Sequence, residues 1–378
     1  MKRRPLFLIL VAIFLITCFA QCVEKNRKEI NGITVKKEQL KVKFGNKSKE
    51  LVFEFNEIPP ESVKRKWKKI EYRKEFQIGG IEKSILLYPS KLRVDKNNNI
   101  YILDNKDYSV KKFDKYGNFQ KKFGKKGKGP GEFETPFDFD IYGEDKVAIL
   151  SPNDNKFGVF YKNKIYEHKF KLMPIKLAFI DTYNIIAFQI MDPITFSPFQ
   201  MINYKTGKVI ECKNFLNKNT FSGESTGMLP FLLGDVFRYD KRGFVYISAI
   251  MGYVLIYNNK CEISGQFKLI DNIKDSGLVQ RKQKLAGMDF PIVRFPRLRE
   301  YLFLSSNVFG DKLFINNNQV KKDSNDIVID IYSLSELRYL YSVLLKNIGN
   351  IVNIYFTDNK LYIIKKDTSV LIYEYKVI

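Results

Sequence analysis

Histidine is almost missing from this chain of 378 residues, and His168 stands alone. Any site that needs two histidines is therefore excluded, and with it much of zinc chemistry. Tryptophan is also single, and only four cysteines occur. Two of these, Cys18 and Cys22, lie near the start; Cys212 and Cys261 follow far downstream, and no Cys-x-x-Cys spacing exists. Two distant cysteines are not a disulfide framework: they can pair in an oxidising compartment or remain as buried thiols. Helical periodicity is nearly absent too. Acidic residues are outnumbered 41 to 64, for a formal charge of +23. That balance bears on partners and solubility rather than fold, and because Lys, Asn and Ile are abundant throughout, part of it reflects general composition. What is plentiful is apolar and aromatic matter, 45% and 15% of residues, which excludes disorder as the main state.

Met1 precedes Lys2, Arg3 and Arg4, and then the apolar run from Leu6 to Ile16. A short basic head and an apolar stretch of this length match a secretory signal. The run falls short of the roughly 20 apolar residues of a spanning helix, and the Lys-rich sequence after Cys22 fits a buried core helix poorly. Leu15-Ile-Thr-Cys18 resembles a bacterial lipoprotein signal, with Cys18 the lipidated residue and Cys22 the alternative; Cys18-Phe-Ala20 also suits ordinary cleavage. The expectation is a signal over 1–17, a tether with some strand content over 18–65, broken at Ile58-Pro-Pro-Glu61, and a folded domain over 66–378.

From Ser90 onward the chain breaks into short apolar segments separated by Asn, Asp, Gly and Lys. The clearest unit predicts four strands at 91–95, 99–105, 109–114 and 118–124, with turns at Asp95 to Asn99 and at Asp114-Lys-Tyr-Gly117. The template recurs over 136–170, 175–214, 235–269 and 306–345; the sixth unit, 349–378, has only three strands. Second strands are apolar on both faces, as in Ile100-Tyr-Ile-Leu103, and fourth strands are polar and alternating. Units of about 40 residues with this gradient predict an all-β, six-bladed β-propeller. The alternating segment 69–78 is expected to complete the sixth blade, so that both ends of the chain share one sheet.

Strand parity puts the loops between second and third strands, and those between blades, on one face. Every long insertion falls in that class: 191–199, 215–233, 271–305 and the Gly-rich loop 124–133. That face is the expected site. Phe123-Gly-Lys-Lys-Gly-Lys-Gly-Pro-Gly-Glu-Phe133 with Pro136, together with Ile100-Tyr-Ile-Leu-Asp104 and Val110-Lys-Lys-Phe-Asp114, resembles NHL-repeat propellers, and in particular six-bladed propeller lipoproteins of bacterial envelopes. The resemblance covers residues 89–150 sharply and the rest by pattern only. It implies an exported propeller without supplying a shared substrate or catalytic residues. Some NHL-type propellers are lyases with several His ligands, which this chain cannot provide.

Lys125, Lys126 and Lys128 give the Gly-rich loop the look of a phosphate cradle, but the nucleotide-loop pattern and its helix are missing, so a structural turn is the alternative. In the 271–305 insertion, Arg294, Arg297 and Arg299 could meet an anionic ligand or simply be solvated. Residues 276–287 there suggest a short helix and 290–296 an extended crossing. Asp138 and Asp140 share a strand face and could hold Ca²⁺, or fix turns by hydrogen bonds. His168 is expected on an outer strand, away from any Ser-His-Asp arrangement on the loop-rich face. The leading expectation is a lipid-anchored envelope protein, non-enzymatic and without cofactor, that binds a protein, peptide or glycan; the alternative is a Ca²⁺-dependent hydrolase or lactonase. A nucleic-acid partner is not expected of an exported chain, despite the suitable charge.

Overall fold

The computed structural model describes residues 64–80, 85–171, 173–189, 198–213, 233–240, 242–249, 252–271, 301, 303–320 and 325–378 in full, and the backbone alone of 241 and of strands at 26–30, 33–44, 49–57, 281–285 and 288–292. The protein is an all-β, six-bladed propeller. Blade 1 runs Pro89–Val94, Ile100–Asp104, Ser109–Phe113 and Phe119–Phe123, each strand antiparallel to the next. Blades 2 to 4 repeat that order from first strands Asp138–Tyr142, Pro174–Phe179 and Gly234–Tyr239. Blade 5 begins at Phe303–Phe309 and blade 6 at Ile351–Phe356. The six first strands contact one another in sequence and the sixth contacts the first, so they line the axis of a closed ring.

Burial follows the sequence gradient. All residues of the second strands Ile100–Asp104, Lys146–Ser151 and Gly243–Ser248 are buried, whereas four of five in Phe119–Phe123 are exposed. β-branched and aromatic residues suit a strand covered on both faces. The cores therefore lie between blades: Tyr101, Leu103 and Val110 of blade 1 pack with Phe139, Val147 and Ile149 of blade 2, and Ile102 and Phe113 with Tyr362 and Ile372 of blade 6. One face of the ring is trimmed to tight turns. Asp95, Asp114 and Asp181 each accept hydrogen bonds from backbone N–H groups two and three or four residues on, which lets a side chain close the hairpin.

The ring closes as the sequence predicts. Strand Ile70–Ile78 pairs antiparallel with Val370–Val377 and becomes the outer strand of blade 6. A second feature escaped prediction: Trp67–Lys68 runs parallel to Arg338–Leu345 and adds a fifth strand to blade 5. Just before it, Arg65 sends Nε to Asp330 Oδ1 at 3.1 Å and Nη2 to Asp330 Oδ2 at 2.9 Å and Asp271 Oδ2 at 2.7 Å. The incoming chain is thus fixed to blade 5 before it enters blade 6. Cys212, after the outer strand of blade 3, is disulfide-bonded to Cys261 in the last hairpin of blade 4. In the region expected to be a tether, Asn26–Ile30, Ile33–Phe44 and Lys49–Glu57 form a three-stranded antiparallel sheet. The helix expected over 276–287 is corrected: Arg281–Leu285 is a strand paired antiparallel with Met288–Ile292. Its Lys/Arg/Gln alternation serves a two-stranded ribbon as well as a helix, so local pattern could not decide.

Candidate ligand site on the loop-rich face

Charged side chains gather where the first strands line the axis. Lys91 Nζ of blade 1 lies 2.6 Å from Asp138 Oδ1 of blade 2, and the other oxygen of Asp138 accepts the Leu177 N–H of blade 3 at 3.1 Å. One strand step along, Arg93 Nε is 3.4 Å from Asp140 Oδ1, and Asp140 Oδ2 accepts the Phe179 N–H at 2.8 Å. Lys176 of blade 3 pairs with Asp235 of blade 4, whose Oδ2 accepts the Ser306 hydroxyl of blade 5 at 2.7 Å. The Asn307 amide then bonds both the N–H and the C=O of Phe356 in blade 6, at 3.0 and 2.8 Å. Each link joins one blade to the next. The belt is stitched from side chains whose capacity is spent on the neighbouring strand.

Burial and pairing compete in setting the charge states. Burial works to raise the Asp138 and Asp235 carboxyls, but Lys91 and Lys176 outweigh it and hold both below the usual carboxylate range. At Asp140 burial prevails over Arg93 and the carboxyl is raised. Lys91 is pushed down to about 8 by burial against the pull of Asp138. Perturbed groups in a cluster can mark a functional site or a structural ion-pair network. Here the bonds to backbone N–H groups of the next blade assign the carboxylates a joining role. Among the described residues no three His, Cys, Asp or Glu side chains gather in a way that could hold a metal ion; Asp138 and Asp140 face Lys91 and Arg93, which adds to the electrostatic cost of placing a cation there.

The Gly-rich loop folds on itself. Lys125–Lys126 pairs in parallel with Glu132–Phe133. The Glu132 carboxylate accepts the Gly129 N–H at 2.9 Å and meets Lys125 Nζ at 3.1 Å, and these contacts hold it below the usual range. The loop therefore presents its backbone N–H and its lysine to its own carboxylate. Gly127, at φ +145°, leaves room for it, since a Cβ there would collide with Glu132. Phe133 is fully buried between blades 1 and 2 and lies against Gly124 and Gly158. Lys128 pairs with Glu134 at 3.2 Å, while Lys126 Nζ stands 5.2 Å from the centre of the Tyr108 ring.

That ring lines a cleft of about 470 Å³ formed by Asn105 and Tyr108 from blade 1, the inter-blade residues Glu134 to Phe137, Pro152 and Asn153 from blade 2, and Met173 and Ile175 at the entry to blade 3. All but Ile175, at the start of the first strand of blade 3, come from loops between second and third strands or between blades, so the cleft opens on the loop-rich face. Phe137 is 47% exposed there, and Leu87 and Tyr88 lie exposed beside Asn105, whose N–H donates to the Tyr88 carbonyl at 3.0 Å. Sequence reasoning pointed to this face without naming the cleft residues, because none belongs to a recognisable motif. The signal that could have found them is Phe137, an aromatic on the outward parity beside Asp138. Arg294, Arg297, Arg299, Cys18 and Cys22 lie outside the described residues. His168 is on the outer strand of blade 2, stacked on Phe157 at 5.5 Å between ring centres.

A family model described as a six-bladed β-propeller, DUF5128, matches residues 81–223. No curated protein matches the sequence. Among solved structures, a candidate exported protein from Bacteroides fragilis shares 12% identity at a TM-score of 0.51, covering 82% of this chain and 99% of that one. A member of the DUF4221 family from Bacteroides vulgatus gives 10% and 0.51, with the same 82% and 99% coverage. A catalytically inactive virginiamycin B lyase from Staphylococcus aureus gives 9% identity and a TM-score of 0.45 over 96% of this chain and 99% of that one. At such identities the likeness is one of fold, and chemistry has to be argued from the site.

Proposed function

We propose that this protein is an exported, lipid-anchored relative of the NHL-repeat propellers that works as a binding module, taking a protein, peptide or glycan on its loop-rich face. One observation carries the reading: a concave, mostly apolar cleft, with Asn105 and Asn153 among its lining residues, opens on the face where the long loops emerge, while the charged groups at the axis are matched to one another. Pockets of that make-up are the default binding site of an uncharacterised fold. Export rests on the basic head and apolar run of residues 2–16 and agrees with the Cys212–Cys261 disulfide, a bond that persists in oxidising compartments. The B. fragilis neighbour, itself described as a candidate for export, is in keeping with this. Cys18, or Cys22 in its place, carries the lipid, and the envelope is the site of action. Of the basic residues, Lys126 stands beside the cleft ring Tyr108 and Lys125 and Lys128 brace the adjoining loop; Arg294, Arg297 and Arg299 are kept from the sequence as further candidates to meet an anionic ligand. A Ca²⁺-dependent hydrolase would use Asp138 and Asp140; the binding reading has the stronger support because those carboxylates already serve Lys91, Arg93 and the backbone of blade 3.

A photo-crosslinking residue placed at Phe137 in the tethered protein, in intact envelopes, tests this. Its control is the same residue at Tyr116, which is 69% exposed on the opposite face. Discrete adducts from position 137 and none from 116 are expected. Adducts from neither, or from 116 alone, would overturn the reading.

A further inference from the structure

Resting on that reading, the cleft's own backbone narrows what it binds. Tyr108 has φ +54°, a left-handed conformation that is uncommon outside glycine and an outlier for bulky side chains. It closes the four-residue turn between Ile100–Asp104 and Ser109–Phe113, with its N–H on the Asn105 carbonyl at 3.4 Å. Blade 2 builds the same turn between Lys146–Ser151 and Lys156–Tyr161, with the N–H of Asn155 on the Pro152 carbonyl at 2.9 Å. There the left-handed slot, at φ +49°, is filled by Asn155, a residue type several-fold enriched in that region. The fold therefore accepts an easy residue in this slot, and blade 1 carries a costly one. Strain kept at a surface site points to a function when the side chain has somewhere to act. The Tyr108 ring lines the cleft.

The surroundings of the ring supply the chemistry. Two aromatic rings on this corner each carry a rim amine, Lys126 over Tyr108 at 5.2 Å and Lys106 over Tyr88 at 5.9 Å, whereas Lys91, 4.7 Å from the Phe137 ring, is already paired with Asp138. The acid among the lining residues, Glu134, is paired with Lys128. The apolar part of the lining is Pro136, Phe137, Pro152, Met173 and Ile175, beside the neutral polar side chains of Asn105, Thr135 and Asn153. An apolar floor with a rim of lysines complements a chain that offers an apolar side chain flanked by carboxylates.

We infer that Tyr108 is a ligand-contact residue held at the cost of backbone strain, and that the cleft takes an extended acidic peptide segment anchored by one apolar side chain. The test uses the mature protein and fluorescein-labelled heptapeptides with a central Phe flanked by Asp and Glu, by Asn and Gln, or by Lys, with a neutral oligosaccharide as competitor. Tight binding of the acidic peptide alone is expected. Tyr108→Asn should weaken it about tenfold while leaving Tm unchanged or raising it by about 2 °C; Tyr108→Phe should keep most of the affinity, and Lys126→Glu should reduce it in a salt-dependent way. Unchanged affinity in Tyr108→Asn, or a clear fall in its Tm, overturns the role given to Tyr108. Equal binding of the neutral peptide, or displacement by the oligosaccharide, overturns the ligand class and leaves the loop-rich face standing as the site. Binding of no probe overturns the inference whole, and adducts from position 137 then show whether the broader reading falls with it.

Discussion

Arg65 holds two carboxylates at once, and Asp330 beneath it has no side-chain exposure. Burial opposes the guanidinium's charge, but Asp330 and Asp271 together outweigh it and keep the group firmly protonated. Removing one partner of such a pair strands the other, at about 3–5 kcal/mol. Arg65→Ala should therefore lower the urea midpoint strongly, whereas Arg65→Met combined with Asp330→Asn should recover part of the loss; equal midpoints for wild type and Arg65→Ala would refute the anchoring role. His168 offers a second residue-scale check. Burial against Phe157 and Phe170 lowers its pKa below the ordinary 6.5. The unfolded chain then binds more protons than the folded one as pH falls through 6.5, so stability declines in that window. With one histidine in the chain, a single substitution isolates the effect: His168→Phe should keep the ring contact and flatten the fall in Tm between pH 7 and 5.

Elements were legible to the extent that their residues announce both partners. The first-blade strands expected at 91–95, 99–105, 109–114 and 118–124 fall at 89–94, 100–104, 109–113 and 119–123, because Asp95 and Asp114 mark the hairpins and Ile100-Tyr-Ile-Leu103 marks a strand covered on both sides. The closing strand at 70–78 was legible for the same reason, since alternation and a missing fourth strand pointed to each other. Trp67–Lys68 was not, as two residues carry no period. Nor was the axial belt: parity places Lys91 and Asp138 toward the axis, but which charges meet depends on how neighbouring blades stagger. The disulfide could not be read from spacing, since 49 residues separate its cysteines. The loop-closure argument for a separation of that size gives about 4 kcal/mol. Cys212→Ser with Cys261→Ser, or reduction of the wild type, should lower the denaturant midpoint accordingly; an identical midpoint in both redox states would show that the bond does not tie blades 3 and 4.

On the scale of the whole molecule, the termini matter more than the net charge. A propeller without closure leaves one blade with an unpaired edge, and unpaired edges template association. In this chain the strand that covers the edge, Ile70–Ile78, follows closely on Arg65 and Trp67–Lys68, which fasten the same stretch to blade 5. The N-terminal entry to the ring and its closure are therefore one length of chain, so under the lipid anchor proposed at Cys18 a pull on that end would meet the Arg65 ion pairs before the hydrogen bonds of blade 6. Removing residues up to 80 should uncover the Val370–Val377 edge, whose inner residues Val370 and Ile372 belong to the core shared with blade 1. The truncated protein is expected to elute as oligomers or aggregates on size-exclusion chromatography, and a synthetic peptide of residues 64–80 added during refolding should restore the monomer. A truncated protein that stays monomeric with the Tm of the full chain would mean that three strands suffice for blade 6, and that residues 64–80 are fastened to the ring without holding it shut.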